Sequence, residues 1–500
     1  MQPNKISPSV SEIAVLVAVI FLGVSLRLIK ISQPFIDAWS WRQSETAMVA
    51  DNFYRHGFNI LYPQISWAGS SGYIGIEFQL VTLIASLLYI LFGVQDWIGR
   101  SVSVFFFAAS VPFFYLLVKK IANDRAALFA VGIYTLAPLS IFAGRSFMPD
   151  MASLSFSIMA LCLFAEWLEQ EKNSWLYAAM CTATSLAILV KLPAIVIGVP
   201  LLYMAWEKYG AGLVFRRELW AFAVLSLILP LAWYSHAYLI SISTPPYFFF
   251  GAAGLKLVSL DRYLNILHVT ATSSLTPIVS AAMLGGIILP SGGRFARVFY
   301  WWLLAIILFV LIAGLGNRHQ WYQLPIVPVA AAFAGLACDF VLRRFLKPTG
   351  SKLALVSASV TFFIALAYLS YIYIRPLYTP WSIPSLNAGI ELNRIAPPDA
   401  LVLAADDGDA ATLYYSRRKG WHFPQGRNLL LPWPADGQQA INQLEELRAE
   451  GGSYLILTKP SFYLLSGQYR DFRKHLDSQY RRGRDTDEYI IFDLAGVRSK

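Results

Sequence analysis

Eleven apolar stretches of about bilayer-spanning length run through this chain, near residues 10–30, 99–118, 125–144, 150–168, 174–191, 193–206, 219–240, 270–290, 298–315, 323–341 and 352–374. A crossing helix needs roughly 20 predominantly apolar residues, and in lipid a helix is the form in which such a segment satisfies its own backbone. Composition agrees. Of 500 residues, 57% are hydrophobic and 14% are charged, whereas an ordinary soluble domain is about a quarter charged. The 15 tryptophans and 26 tyrosines suit aromatic belts at two interfaces. The segment from Val10 to Leu28 has no small-residue cleavage site behind it and reads as a retained helix. Cys162, Cys181 and Cys338 lie far apart inside apolar runs, without disulfide or zinc spacing.

The formal net charge of +10 does not point to nucleic acid. From Arg375 onward there are 16 basic and 15 acidic residues, so the surplus belongs to the apolar part. There it sets orientation. The connections "KKIANDR" (119–125), "EKYGAGLVFRRE" (207–218), "SGGRFAR" (291–297) and "RRFLK" (343–347) are short and basic, which the positive-inside rule assigns to the cytoplasm. All four share that side only if a twelfth apolar run, 74–93, does not cross and lies along the outer interface. The expected fold is therefore a multispanning α-helical membrane protein of about 11 spans with outer juxtamembrane helices. Residues 1–375 form the membrane domain, including a first outer loop at 31–98, and 376–500 form a soluble α/β domain outside. The N-terminus is expected in the cytoplasm.

The same assignment gathers ionisable residues on the outer face, where they are costly and mark function. Asp37 is followed by Trp41 and Glu45 at helical spacing, and Asp150 opens the fourth span. Each also reads as a simple helix cap or dipole partner. Arg42 and Arg145 stand beside these acids, and Glu77 interrupts the apolar 74–93 run. Arg100, Arg145, Lys191, Arg318 and His319 bring cations to the same face; snorkelling near helix ends is the bland alternative for the arginines and lysine. Carboxylates and cations at an apolar boundary suit a ligand with a lipid tail and a phosphate head. Arginine takes phosphate bidentately, lysine takes it as a point charge, and a carboxylate takes a proton from an attacking hydroxyl.

In their order, "FIDAWSWRQSETAMVADNF", "IEFQLVTLIASLLYILFG", "WIGRSVSVFFFAA", "RSFMPDMASLSF", "LAILVKLPAIV" and "RHQWYQLPIVPVAA" resemble the GT-C class of integral-membrane glycosyltransferases. Within that class the chain is similar to the lipid A aminoarabinose transferase and protein O-mannosyltransferase groups, and the resemblance covers roughly 30–345. It implies Asp37 as catalytic base, Asp150 and Glu77 as further acids of the same pocket, and Arg100 on the donor phosphate. Arg145, Lys191 and His319 are further phosphate candidates; Arg42, Glu45 and Tyr322 are candidate substrate contacts. The sequence departs from the family where Ala38 follows Asp37 in place of a second acid, and where Phe78-Gln79 follows Glu77 in place of lysine and proline. The implied reaction is a single displacement from a polyprenyl-phosphate sugar to an acceptor hydroxyl, with inversion. The acceptor is a lipid, a glycan or a protein. No cofactor is required, although Asp37 and Asp150 are oxygen ligands of the kind that hold a divalent ion. A bacterial inner membrane with a periplasmic active site is the matching location.

In the C-terminal part, "DALVLAAD" and "SYLILTK" read as strands, "DEYIIFDL" as the last strand, and "ATLYYSRRKGWHF" as a further strand or edge. "ADGQQAINQLEELRAEG", capped by Asp436, and "GQYRDFRKHLDSQY" read as helices. Asp406, Asp407 and Asp409 read as turn residues. Two other functions compete: a carrier or flippase for a lipid-linked sugar, and a polymerase or ligase using a diphosphate-linked oligosaccharide. A carrier would place polar groups near mid-bilayer, often in repeated halves; here they crowd at one face without a repeat.

Overall fold

The computed structural model describes residues 10–245, 247, 254–290, 292–345, 352–424 and 433–497. Ser291 and Lys347 of the basic connections lie outside the described residues. Along the chain come α1 (Val10–Leu28), α2 (Ser40–His56), α3 (Leu80–Phe92), α4 (Asp96–Ile121), α5 (Asp124–Leu136), α6 (Pro138–Ala143), α7 (Asp150–Trp167) and α8 (Ser174–Val190). Then follow α9 (Gly198–Tyr209), α10 (Arg217–Ser243), α11 (Leu260–Val269), α12 (Pro277–Ile287), α13 (Val298–Ile312), α14 (Ile326–Phe345) and α15 (Lys352–Ile374). The remainder is α16 (Ile383–Ile395), β1 (Leu401–Ala405), α17 (Ala411–Ser416), β2 (Gly420–His422), α18 (Gly437–Ala449), β3 (Gly452–Thr458), α19 (Arg470–Gln479), β4 (Tyr480–Asp485) and β5 (Tyr489–Val497).

Two compact units divide these elements. The first holds residues 1–31, 100–233 and 251–377, and the second holds 32–99, 234–250 and 378–500. The 32–99 segment falls with the C-terminal residues in the second unit, and 377/378 is the last point at which the chain passes from one unit to the other.

In the first unit, the expected count of about 11 spans resolves differently. Among the described residues six helices are long and apolar enough to cross, or seven if one bent pair counts as a span. The shortfall has local causes. The 125–144 stretch breaks at Ala137, held extended before Pro138, as a residue preceding proline prefers. The 270–290 stretch bends by 106° around Thr276 at φ 82. Gln323 Oε1 accepts from Thr270 Oγ1 at 2.8 Å and from Ser274 Oγ at 3.0 Å there, so the broken turn keeps its polar groups satisfied. The 193–206 stretch divides into a short 3-10 turn, Leu192–Ile197, and α9.

Salt bridges draw the basic connections to one end of this unit. Lys120 meets Glu166 at 2.6 Å and Glu169 at 2.7 Å, and Glu171 takes Lys208 at 2.6 Å and Arg216 at 2.7 Å. Asp339 takes Arg125 at 3.1 Å and Arg343 at 2.9 Å. Helix α7 runs away from this end for its 18 residues, a length of about 27 Å. Asp150 therefore stands at the far end, where α8 delivers Lys191 and α4 begins. Two ionisable faces separated by apolar helix is the arrangement the charge pattern predicts.

The second unit is built on a five-stranded sheet ordered β2-β1-β3-β5-β4, in which β1 pairs parallel with β2 and β3, and β5 antiparallel with β3 and β4. The mixed α/β reading holds, with corrections. Residues 411–416 of "ATLYYSRRKGWHF" form α17 and only Gly420–His422 form a strand; β4 and α16 were not foreseen. Asp436 does cap α18, its Oδ1 accepting from Gln439 N at 2.9 Å. The 74–93 run yields a helix of 13 residues, about 20 Å long, too short to cross. Ahead of it Gly75 passes so close to Ala237 that a Cβ would lie 1.9 Å from the Ala237 carbonyl oxygen.

The first loop is stitched to the C-terminal sheet. Gly69 N donates to Gly420 O and Gly420 N donates to Ser66 O, both at 2.8 Å. Ala68 bridges Trp421 in antiparallel fashion, so residues 66–69 cover the β2 edge that would otherwise stand open.

Candidate functional site

Polar side chains that the sequence singled out fall into two clusters, one in each unit.

In the second unit, Asp37 sits in the turn before α2. Trp39 enters the left-handed region at φ 66 and forms the N-cap without a side-chain bond. Asp37 is therefore not the helix cap, and the bland reading of that residue fails. A non-glycine residue in this region carries a strain of about 1–2 kcal/mol, and the surroundings hold it there. Trp381 N and Ser382 N donate to Ile36 O at 2.6 and 3.2 Å, and Ser382 Oγ lies 2.7 Å from Ser40 Oγ. Asp37 Oδ1 accepts from Gln43 Nε2 at 2.8 Å. One turn further along α2, Arg42 pairs with Glu45 at 3.2 Å and also with Glu77, all three largely buried. Glu77 was expected inside an apolar helix; it precedes α3 instead, and its partner is Arg42. Burial pushes the Glu45 carboxyl above its ordinary value against the pull of Arg42, and Glu77 adds to the rise.

In the first unit, Asp150 and Lys191 form an ion pair at 2.6 Å. Both are buried, and the second oxygen of Asp150 has no partner among the described residues. The Lys191 ammonium also lies over the Tyr322 ring, 4.8 Å from its centroid. Asp150, Lys191 and Tyr322 line a cavity of about 40 Å³ whose other walls include Ile197, Trp302, Phe309 and Trp321. An ion pair beside aliphatic and aromatic walls fits a group charged at one end and apolar at the other. Asp150 opens α7 and also complements its dipole, but its oxygen is committed to Lys191, so the cap does not exhaust its role.

Arg100 and Arg145 are fully buried. Arg100 donates to Ile31 O at 3.2 Å and Arg145 to Lys30 O at 2.8 Å, so both clamp the chain leaving α1. Snorkelling does not describe them. His319 stacks on Trp321 at 4.5 Å and meets the exposed Arg318 through Nε2 at 3.2 Å. The predicted acids and cations thus divide: Asp37, Arg42, Glu45 and Glu77 in one unit, and Arg100, Arg145, Asp150, Lys191, His319 and Tyr322 in the other. Among the described residues no group of three or more His, Cys, Asp or Glu is placed to hold a metal ion.

Sequence reading missed Gln43, Trp302, Trp321, and the buried pair His422 and Asp406, whose Nδ1 and Oδ1 lie 2.9 Å apart. Gln43 lies six residues after Asp37, one helical turn beyond the left-handed break that only the structure shows.

Residues 79–236 match the model of the dolichyl-phosphate-mannose-protein mannosyltransferase family. The matched segment contains Arg100, Arg145, Asp150 and Lys191, and leaves out Asp37 and Glu77. Among solved structures, ArnT from Cupriavidus metallidurans bound to undecaprenyl phosphate is similar over 97% of this chain and 98% of that chain, with a TM-score of 0.63 and 14% identity. The Archaeoglobus fulgidus oligosaccharyltransferase aligns over 94% of this chain and 73% of its own, at TM-score 0.64 and 14% identity. The mycobacterial arabinofuranosyltransferase AftD aligns over 98% of this chain and 42% of its own, at TM-score 0.55 and 14% identity. No curated protein matches the sequence. The family model thus matches about a third of the chain, and the solved structures share its fold.

Proposed function

We propose that the protein transfers a sugar from a polyprenyl-phosphate donor to an acceptor hydroxyl at the non-cytosolic face of the membrane, with inversion at the anomeric carbon. The observation that carries this reading is the Asp150–Lys191 pair against the Tyr322 ring, at the edge of a largely apolar cavity. Supporting it are the undecaprenyl phosphate and dolichol-phosphate named in the structures of two similar proteins. In the proposed step the acceptor oxygen bonds to the anomeric carbon, the carbon–oxygen bond to the lipid phosphate breaks, and Asp37 takes the hydroxyl proton. Lys191 meets the charge that develops on the departing phosphate, and a preorganised cation in a low-dielectric site stabilises that charge strongly. Arg100 and Arg145 fix the chain leaving α1 and add positive potential at the same end of the first unit. Arg42, Glu45 and Tyr322 remain candidate substrate contacts. The acceptor is a lipid, glycan or protein, and the setting we propose is a bacterial inner membrane with the site facing the periplasm.

The test is incubation of purified protein with defined polyprenyl-phosphate sugars, following release of the lipid phosphate and the anomeric form of the product. Transfer by wild type and its loss in Asp37→Asn support the reading; near-normal transfer by that variant ends it. Release of a lipid diphosphate from an oligosaccharide donor would favour the ligase reading, and lipid movement without bond cleavage the carrier. Addition of EDTA should leave the rate unchanged, since the chain's own cations meet the phosphate charge; a lost rate restored by a divalent ion would assign a metal to the acids.

A further inference from the structure

The turn that carries Asp37, with Trp39 at φ 66, is gripped by residues from the other end of the chain. Grips at Phe35, Ile36 and Ser40 bracket the acid, and all lie within the second unit. Phe35 N donates to the Tyr415 hydroxyl at 2.6 Å. Ile36 O accepts from Trp381 N and Ser382 N at 2.6 and 3.2 Å. Beyond the acid, Ser40 Oγ lies 2.7 Å from Ser382 Oγ and reaches both oxygens of Asp409, at 3.2 and 3.3 Å. A bulky residue keeps a left-handed conformation only where its surroundings over-determine it.

The Tyr415 grip is itself supported. A phenol has one proton to donate and lone pairs with which to accept. Tyr415 gives its proton to Asp96 Oδ2 at 2.9 Å, which leaves a lone pair for Phe35 N. Tyr414, the preceding residue of α17, takes the other oxygen, its hydroxyl donating to Asp96 Oδ1 at 3.0 Å. Helix α17 is seated closely on α16: at Gly389 a Cβ would lie 2.7 Å from Thr412 O and 2.9 Å from Tyr415 Cβ. Trp381 and Ser382 lead into that same α16. One pair of helices from the C-terminal region therefore holds the first loop on both sides of Asp37.

We propose that Tyr415 is a positioning residue for Asp37: its hydroxyl, oriented by Asp96, fixes the backbone two residues ahead of the acid and, with Ser382, sets where the carboxylate stands. Helices α16 and α17 then act in sugar transfer through Asp37. The catalytic half of this inference rests on Asp37 being the base, as given under Proposed function; the grip on the turn does not. A general base works only within hydrogen-bond reach of the proton it takes, and displacement by about 1 Å costs up to about 10²-fold in rate.

The experiment uses the full chain in lipid nanodiscs as wild type, Tyr415→Phe, Tyr414→Phe, Asp37→Asn and Tyr415→Phe/Asp37→Asn. Both tyrosine variants keep the ring and lose one bond to the same carboxylate, but only Tyr415→Phe also loses the acceptor that Phe35 N meets. Tyr415→Phe should lower kcat about 10- to 100-fold with the KM for donor unchanged, and should speed amide exchange over residues 33–41. Tyr414→Phe should leave kcat and that exchange unchanged while melting as low as Tyr415→Phe. In the Asp37→Asn background, whose residual rate no longer uses the carboxylate, adding Tyr415→Phe should cost nothing further. A wild-type kcat in Tyr415→Phe, an equal loss in Tyr414→Phe, or the full loss repeated in the Asp37→Asn background overturns the proposal. If Tyr415→Phe does not fold, Ser382→Ala loosens the second grip and is read by the same kcat, exchange and background measurements. Near-normal transfer by Asp37→Asn, or none by wild type, sinks the reading of the base. Exchange over 33–41 then decides the grip: faster in Tyr415→Phe alone upholds it, and unchanged overturns it.

Discussion

The transmembrane unit and the loop-and-sheet unit solve the burial of charge in opposite ways. In the first, buried cations are each given their own acceptors. Arg27 donates to Gly23 O, Thr135 O and Ser140 Oγ and lies on the Phe107 ring at 3.2 Å, Arg100 and Arg145 take carbonyls near the end of α1, and Lys191 takes Asp150. In the second, carboxylates take a shared or a titratable cation: Glu45 and Glu77 divide Arg42, and Asp406 pairs with His422 at 2.9 Å. Helix ends supply carbonyl dipoles that suit cations, so a helical unit can bury arginine cheaply. The loop unit also lends carbonyls to a cation, those of Pro397, Ala396 and Ser416 to buried Arg418, but its buried carboxylates depend on charge sharing.

The comparison can be broken most severely at Asp37. Asp37→Asn should lower transfer by about 10³-fold, within the range for a lost general base, while gel filtration and melting stay near wild type. Next comes Arg42→Met, which leaves Glu45 and Glu77 buried without their shared cation. It should cost about 3–5 kcal/mol of stability, read by denaturant titration, and Arg42→Met/Glu77→Gln should recover much of the loss. A smaller effect is expected from Lys191→Met, with transfer falling about 10–100-fold. The corresponding drop for Lys191→Arg should be less, because the charge survives although its geometry changes. The mildest test sharpens the protonation side. Burial raises the Asp409 carboxyl to about 6, while hydrogen bonds from Ser40, Ser382 and the Ala411 amide pull the other way. Folded protein then holds a proton that unfolded protein loses near pH 4. Stability conferred by this group is present below about pH 4 and lost as pH rises to about 6. Asp409→Asn should remove that component, seen as a smaller melting difference between pH 4.5 and 6.5.

Much of the fold was legible because its signals are local. Apolar length marks helices, basic connections mark one end, and the salt bridges of Lys120, Glu171 and Asp339 gather those connections as expected. Helix α18 and its Asp436 cap were readable for the same reason. The count of spans was not, because Pro138 and Thr276 turn continuous apolar text into broken helices. For the site, Asp150, Lys191 and Tyr322 were named from sequence and meet at one cavity. Gln43 was passed over because an amide carries no charge signal, and His422 because it arrives on a strand nearly 400 residues after Asp37.

What the sequence determined by itself is where charge is rare and on which helix ends it stands, since burying an ionisable group in an apolar run leaves a mark in composition alone. Pairing was decided by tertiary structure. That Arg42 serves two acids, that Arg100 and Arg145 hold backbone carbonyls, and that the first loop completes the edge of a sheet formed from the end of the chain all depend on contacts between distant segments. The physical reason is range: helix formation and hydropathy act over a few residues, whereas the balance of a buried charge is struck with whatever the fold brings within a few ångströms.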